Sequence, residues 1–106
     1  LDDWAFQRMQ QEVDQRVARG DLAPEPQLVR YYTTYDHDTF EPINKVFQYD
    51  WFMGDSVDRN LLITSSTGGM VVSIRSRVYP PGNHPGALQA DTAMSLIVSS
   101  LRIGQG

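Results

Sequence analysis

The chain has 106 residues, of which 41% are hydrophobic, with a formal net charge of -4 and no cysteine. This length suits one domain around one core, and the lack of thiols excludes disulfides, thiolate zinc sites and a cysteine nucleophile. The acidic balance argues against general affinity for nucleic acid or anionic membranes, and no apolar run reaches the ~20 residues that a membrane-spanning helix needs.

The first predicted element is an amphipathic helix that ends near Arg19. Asp2 and Asp3 can cap the first backbone N–H groups, and Gly20 is a typical residue after a helix end. The apolar residues at helical spacing are Phe6, Met9, Val13 and Val17. We expect this stripe to pack on a larger layer of the fold.

Two strands are predicted next. Pro24 and Pro26 prevent the helix from continuing, and the β-branched and aromatic run Leu28–Tyr35 favours a strand. After a polar turn, a second strand is predicted from Lys45 to Met53. The alternating aromatic residues on its core side are Phe47, Tyr49 and Trp51.

The clearest local pattern is a hairpin. Arg59–Thr67 and Met70–Tyr79 flank Gly68-Gly69, and a glycine pair tolerates the positive φ angles of tight turns. In the first strand, apolar residues stand on both faces, which predicts a strand covered on both sides. The apolar side of the second strand is Met70, Val72, Ile74 and Val78.

A Pro/Gly loop at 80–86 precedes a second predicted helix at 87–103. Its apolar stripe is Ala90, Ala93, Met94, Ile97 and Leu101. The element order predicts one α+β domain over residues 1–106, with an antiparallel sheet of four or more strands flanked by N- and C-terminal helices. The residues predicted to be buried are Phe6, Met9, Val72, Ile74, Met94, Ile97 and Leu101.

Asp36-His37-Asp38 is the triplet whose residue types most resemble a reactive site, since two carboxylates and an imidazole can bind a divalent cation. Consecutive residues converge on one ion only if the loop wraps around it. Glu41 is the one nearby residue in the sequence that could add a further ligand. A polar turn whose aspartates bond the local backbone is favoured. We therefore predict no metal, no cofactor and no catalytic residue, and an enzyme using this triplet as acid or base ranks last.

Arg75, Arg77 and Tyr79 share the side of the second hairpin strand opposite its apolar residues. Guanidinium forks beside an aromatic ring are enriched at protein interfaces and can bind carboxylates through two hydrogen bonds. We predict these three as partner-binding residues for an acidic surface. The open alternative is that they form the solvated side of an edge strand.

The C-terminal half of the chain has a distinctive order of segments. An FQYDWF strand is followed by the hairpin DRNLLITSSTGGMVVSIRSRVYP, a Pro/Gly loop and a helix that ends in IVSSLRI. This order resembles the PsbP-like family, whose members commonly close with a Ser-Phe or Ser-Leu pair comparable to Ser100-Leu101. The resemblance covers about Lys45 to Ile103. The first helix matches an earlier helix of the family only in its position along the chain.

The resemblance implies a PsbP-like α/β/α sandwich that carries out no chemistry and docks on a larger complex. The family includes extrinsic photosystem II proteins of the thylakoid lumen, Ran-binding Mog proteins and some bacterial lipoproteins. We therefore expect an accessory subunit of a photosynthetic assembly in the thylakoid lumen, with a bacterial periplasmic or envelope relative as an alternative. The family's N-terminal strand pair would precede Leu1, so either the chain lacks that pair or its sheet is smaller.

A different class of function also fits the sequence. A curved, cone-shaped sheet with a helix across it could carry a small apolar ligand, with Phe47, Tyr49 and Trp51 lining the pocket. Core packing is the simpler interpretation of these aromatic residues. Neither interpretation assigns the chain an enzymatic activity.

Overall fold

The computed structural model of the chain describes residues 3–79 and 86–103. The elements in order are helix α1 (Asp3–Ala18), strands β1 (Leu28–Tyr35), β2 (Pro42–Phe52), β3 (Val57–Ser65) and β4 (Val71–Val78), and helix α2 (Ala87–Ser100). The predicted α+β order is confirmed. Of the predicted 80–86 loop, residues 80–85 lie outside the described residues. Among the described helices, none is long and apolar enough to cross a membrane.

The four strands form one antiparallel sheet in the order β1-β2-β3-β4. Strands β2 and β3 are central, while β1 and β4 are the two edges. Gly68 and Gly69 connect β3 to β4 with φ angles of +92° and +104°, a region that glycine reaches without the steric cost of a Cβ atom. The predicted hairpin is therefore confirmed, as is the sheet of four strands.

Helix α1 covers one face of the sheet, called the α1 face below. Phe47, Tyr49 and Trp51 lie there, none more than 2% exposed, and successive ring centroids are 5.6 and 5.5 Å apart. Burial raises the pKa of the Tyr49 hydroxyl. The apolar α1 residues packed against this aromatic row are Ala5, Met9 and Val13. The predicted core side of β2 is confirmed.

Helix α2 packs over the opposite face, called the α2 face below. Val46 and Ile63 are fully buried there, and Val98 of α2 belongs to the same cluster. Asn44 donates a hydrogen bond from Nδ2 to the carbonyl oxygen of Leu101 at 2.8 Å, which attaches the end of α2 to β2. Strand β3 is covered on both faces, as predicted.

Each helix turns only part of its predicted apolar stripe toward the sheet, and Val17 of α1 is one of the stripe residues left exposed. Phe6 and Ile97, both predicted to be buried, are 44% and 51% exposed, and Ala90 and Ala93 of the predicted α2 stripe are also exposed. Apolar residues occur around most of α2, so their spacing could not select one side. The residues that do face the sheet from α2 are Met94 and Val98.

On α1, the inward stripe includes a charged residue that a hydrophobic pattern cannot detect. Arg16 is buried at 8% exposure, one helical turn after Val13. Phe6 lies beside the aromatic row, with its ring centroid 5.3 Å from that of Phe47. The remaining residues predicted to be buried are partly buried: Met9, Val72, Ile74, Met94 and Leu101. Met70 precedes β4 and is exposed, contrary to its predicted place on the apolar side.

Candidate functional site

Arg75 on β4 is bound by two acidic side chains of the same molecule. Its Nε and Nη2 donate to Oδ1 and Oδ2 of Asp58 at 3.2 and 2.8 Å, and its Nη1 donates to Oε1 of Glu12 at 3.1 Å. Glu12 belongs to α1 and Asp58 to β3, so these bonds join the helix to the sheet. The fork predicted for a partner's carboxylate is therefore occupied within the chain.

Asp58 also binds a second arginine. Arg16 donates from Nη2 to Oδ2 of Asp58 at 3.1 Å, and its guanidinium carbon lies 3.9 Å from the Trp51 ring centroid. Burial by itself raises the pKa of Asp58, but the hydrogen bonds and charges of Arg75 and Arg16 outweigh burial and hold the pKa below its ordinary value. We call Glu12, Arg16, Asp58 and Arg75 the Asp58 cluster, and its geometry is that of a structural ion-pair network.

The other two predicted partner-binding residues differ from Arg75. Arg77 is exposed and, within residues 3–79 and 86–103, forms no ion pair. Tyr79 is partly buried. The partner-binding role of these three residues stays a prediction, and Arg77 is the member whose guanidinium is available to another molecule.

Asp36-His37-Asp38 forms the polar turn between β1 and β2. Asp36 Oδ1 accepts hydrogen bonds from the backbone N–H groups of Asp38 and Thr39 at 2.8 and 2.9 Å, and these bonds lower the pKa of Asp36. The side chains of His37 and Asp38 point into solvent. Among the described residues, no group of three or more acidic or histidine side chains could hold a metal ion.

A cleft of about 370 Å³ lies between the sheet and α2. Its described lining combines the α2 face of β1, β2 and β3 with one side of α2. The residues are Arg30, Tyr32, Thr34, Gln48, Arg59, Leu61, Met94, Ser95, Val98 and Ser99. The aromatic row of the α1 face does not line this cleft. Phe47, Tyr49 and Trp51 are therefore core residues, as the simpler interpretation held.

Two polar residues of the cleft lining, Gln48 and Arg59, bind a buried carboxylate next to the cleft. Asp50 is 1% exposed and accepts hydrogen bonds from Arg59 Nε and Nη2 at 3.1 to 3.3 Å and from Gln48 Nε2 at 3.1 Å. A buried carboxylate is tolerated when it is paired in this way. At the mouth, the guanidinium carbon of Arg30 lies 4.6 Å from the Tyr32 ring centroid.

This cleft was not predicted from the sequence, although β2 contains one pattern that indicates it. Strand β2 carries Asn44, Gln48 and Asp50 on the side opposite its aromatic row, and all three are buried. Polar residues that alternate with aromatic ones in a central strand cannot all be solvated. They indicate an internal polar network or a binding site on that face.

The two sheet edges differ on their α1 faces. On β1 that face carries Val29, Tyr31 and Thr33, none of them charged, and Val29 and Tyr31 are 45% and 38% exposed. On β4 the same face carries both Arg75 and Arg77. In the described part of the chain, no strand pairs with the outer side of either edge.

Comparison with known proteins gives no relative. No family model, no curated protein and no solved structure matches the chain. The α+β architecture is shown by the structure itself. The features that bear on function are the two sheet edges, the Asp58 cluster and the cleft under α2.

Proposed function

We propose that this chain is a non-enzymatic accessory module that docks on a larger protein complex through the open edge of β1. The observation that carries this proposal is the uncharged, partly exposed pair of Val29 and Tyr31 beside an unpaired strand edge. An edge strand presents backbone N–H and C=O groups to any extended segment that can reach it.

The contrast with β4 supports β1 as the docking edge. Proteins commonly protect their sheet edges with charged residues, which discourage pairing with another chain. On the α1 face, β4 has two arginines while β1 has a valine, a tyrosine and a threonine. Tyrosine is among the residues enriched at interfaces and at their energetic centres. Because the one charged residue of β1, Arg30, lies on the α2 face, the α1 side of β1 is uncharged and is the side suited to a docked apolar segment.

The proposed occupant is an extended segment of a partner protein. Its backbone would pair with β1, and apolar side chains at every second position would lie beside Val29 and Tyr31, because alternate residues of a strand face the same side. Main-chain hydrogen bonds would supply affinity, and the aromatic row would select the sequence of the segment.

The more specific part of the proposal is a PsbP-like accessory subunit of a photosynthetic complex in the thylakoid lumen. It is supported by the resemblance of the hairpin and last helix, and by the order of helix, four strands and helix. A bacterial envelope relative is the alternative setting. Fold resemblance by itself does not assign a partner, so the edge and the assembly need separate tests.

Two exposed valines provide a matched pair for the first test. Val29 on β1 and Val71 on β4 lie on the same face of opposite edges, with exposures of 45% and 42%. Val29→Lys adds a charge to the proposed docking edge, and Val71→Lys adds the same charge to the other. Binding to photosystem II core particles stripped of their extrinsic proteins would be measured by surface plasmon resonance.

We expect saturable binding that Val29→Lys weakens and Val71→Lys leaves nearly unchanged. Equal effects of the two lysines would remove β1 as the docking edge. Absence of binding by the unmodified chain would overturn the photosynthetic assignment. Sedimentation of the chain alone adds a further control, because a dimer that Val29→Lys dissociates would mean that a second copy occupies the edge.

A further inference from the structure

We propose that the cleft between α2 and the sheet binds a small monocarboxylate with an apolar body. Arg30 would bind the carboxylate, and the apolar body would lie against Leu61, Met94 and Val98. This site is on the α2 face of the sheet and does not depend on docking through β1. It also differs from the apolar carrier pocket predicted from the sequence, because its lining includes charged and polar residues.

Arg30 is held in place without an acidic partner. Arg16, Arg19, Arg59, Arg75 and Arg102 each lie within 4.0 Å of a carboxylate oxygen. Arg30 instead stacks over the Tyr32 ring at 4.6 Å and, in the described part of the chain, forms no ion pair. A stacked guanidinium keeps its planar N–H fork free for a carboxylate, with less side-chain entropy to lose on binding.

An unsatisfied hydroxyl lies in the same cleft. The Oγ1 atom of Thr34 is buried and has no hydrogen-bond partner in the described structure, although Thr34 is on the cleft lining. Buried polar atoms are nearly always hydrogen-bonded, so such an atom calls for a partner. Thr34 lies on the same face of β1 as Arg30, and the proposal assigns this hydroxyl a ligand oxygen as the acceptor that the described chain does not supply.

The buried Asp50 does not oppose an anion here. Its carboxylate would repel one if it were unpaired, but Arg59 binds both of its oxygens at 3.1 to 3.3 Å. The charge of Arg59 is thus largely committed to Asp50, which leaves Arg30 as the cation that a ligand would meet. One available guanidinium matches a monoanion, whereas a dianionic phosphate is better served by several cations.

The inner part of the cleft suits an apolar body. Leu61 and Val98 are buried in the α2-face cluster, and Met94 packs partly against it. Methionine adapts to ligands of different shape because its side chain is unbranched and flexible. A volume of about 370 Å³ is at the small end of the range for small-molecule sites, so a short alkyl or single-ring carboxylate fits better than a long lipid.

Octanoate and octanol are a suitable probe pair because they differ in charge and share the alkyl chain. Titration of ¹⁵N-labelled protein, followed by NMR, should show saturable shifts at the amides of Tyr32, Gln48, Leu61 and Val98 with octanoate. Octanol should bind roughly tenfold more weakly, since it forms no charge-assisted pair with Arg30.

The variants separate the ligand contact from structural effects. Arg30→Gln should weaken the binding of octanoate by roughly tenfold and leave the binding of octanol unchanged. Arg77→Gln, on the other face of the sheet, should alter the affinity for neither ligand. Thr34→Val should weaken octanoate with little change in the amide spectrum of the free protein. Equal affinity for octanol and octanoate, or full binding by Arg30→Gln, would overturn the proposal. Octyl phosphate binding more tightly than octanoate would overturn the monocarboxylate assignment.

Discussion

Arg75 and Asp58 form a two-pronged ion pair across β3 and β4, with N···O distances of 3.2 and 2.8 Å. The pair is close to α1, because Glu12 and Arg16 of that helix bind the same two side chains. A surface arginine and a strand aspartate thereby hold the position of the helix. The ion pair also explains why an arginine on an edge strand need not be an interface residue.

Removing the carboxylate of Asp58 should loosen α1 from the sheet. Asp58→Asn would remove the closer carboxylate of Arg16, leaving Asp21 at 4.0 Å, and would leave Arg75 a single neutral amide oxygen in place of two carboxylate oxygens. We therefore expect the free energy of unfolding to fall by about 1–3 kcal/mol. The measurement is urea unfolding followed by tryptophan fluorescence. Asp14→Asn is the control, because Asp14 is exposed and bonds only Gln10 in the described structure; an equal loss there would contradict the role of the cluster.

Acid should weaken the same cluster. The pKa of Asp58 in the folded chain lies below the ordinary value of 3.8, so its unfolded form binds a proton first as the pH falls. The stabilisation is complete above the unfolded pKa and is lost as the pH falls through the lower, folded pKa. Urea unfolding at a series of acidic pH values should therefore show a smaller pH dependence for Asp58→Asn than for the unmodified chain.

The α2 face provides a direct test of helix orientation. Ile63 is fully buried and Ile97 is 51% exposed. We expect Ile63→Ala to cost about 2–5 kcal/mol, because it leaves a cavity in the core, and Ile97→Ala to stay within about 1 kcal/mol. Both changes remove the same atoms, so unfolding of the two variants compares the sites directly. A larger loss at Ile97 would contradict the observed rotation of α2.

Local patterns were enough to predict the sheet but not the helix faces. The alternating aromatic residues of β2 and the glycine pair at Gly68-Gly69 report conformations that depend on near neighbours in sequence. The rotation of α2 depends instead on which side chains fit against Val46 and Ile63. Because apolar residues surround α2, that choice is made by tertiary packing and leaves no periodic signal.

The candidate sites were less predictable for the same reason. Arg30, Gln48 and Met94 come from β1, β2 and α2, and only the folded chain brings them to one cleft. The pairing of Arg75 with Glu12 likewise joins residues distant in sequence. Sequence spacing placed Arg75 and Arg77 on one strand face correctly, but it could not reveal that one of them had an internal partner.

Asp36 should be the residue that orders the turn between β1 and β2. Asp36→Ala removes the acceptor for the N–H groups of Asp38 and Thr39 and the ion pair with Arg102, whose Nη2 lies 3.6 Å from Oδ2. We expect faster amide hydrogen exchange at these two N–H groups, since the turn loses its local hydrogen bonds. Asp38→Ala is the matched control, because the Asp38 side chain is exposed. Unchanged exchange in Asp36→Ala would contradict this role.

The same turn should not bind metal. We expect Zn²⁺ or Mn²⁺ to show no stoichiometric binding by calorimetry, because Asp36 already bonds the backbone and the His37 and Asp38 side chains point into solvent. The control is a His37→Ala, Asp38→Ala double variant under the same conditions. Tight binding by the unmodified chain that the double variant lacks would show that the turn can rearrange around an ion.

Arg75 and Arg77 should differ in stability when their charges are reversed one at a time. Arg75→Glu would place a third carboxylate beside Asp58 and Glu12, and we expect it to cost about 1–3 kcal/mol. Arg77→Glu should cost less, up to about 1 kcal/mol, because it breaks no ion pair in the described structure although the new carboxylate faces Asp58 across the strands. Thermal unfolding of both variants makes this comparison and selects the variant fit for binding experiments.

Arg77→Glu is then the appropriate test of the predicted arginine surface on β4. If that surface meets acidic residues of the partner complex, reversing the charge should slow association at low salt, and the difference from the unmodified chain should shrink as salt screens both. Surface plasmon resonance at several salt concentrations measures both effects, with Val29→Lys on β1 included in the same series. Because docking through β1 relies on backbone pairing and apolar contacts, its loss in Val29→Lys should persist at high salt. If Arg77→Glu associates at an unchanged rate at low and moderate salt, the arginine-bearing face of β4 does not contact the partner, and β1 remains the proposed docking edge.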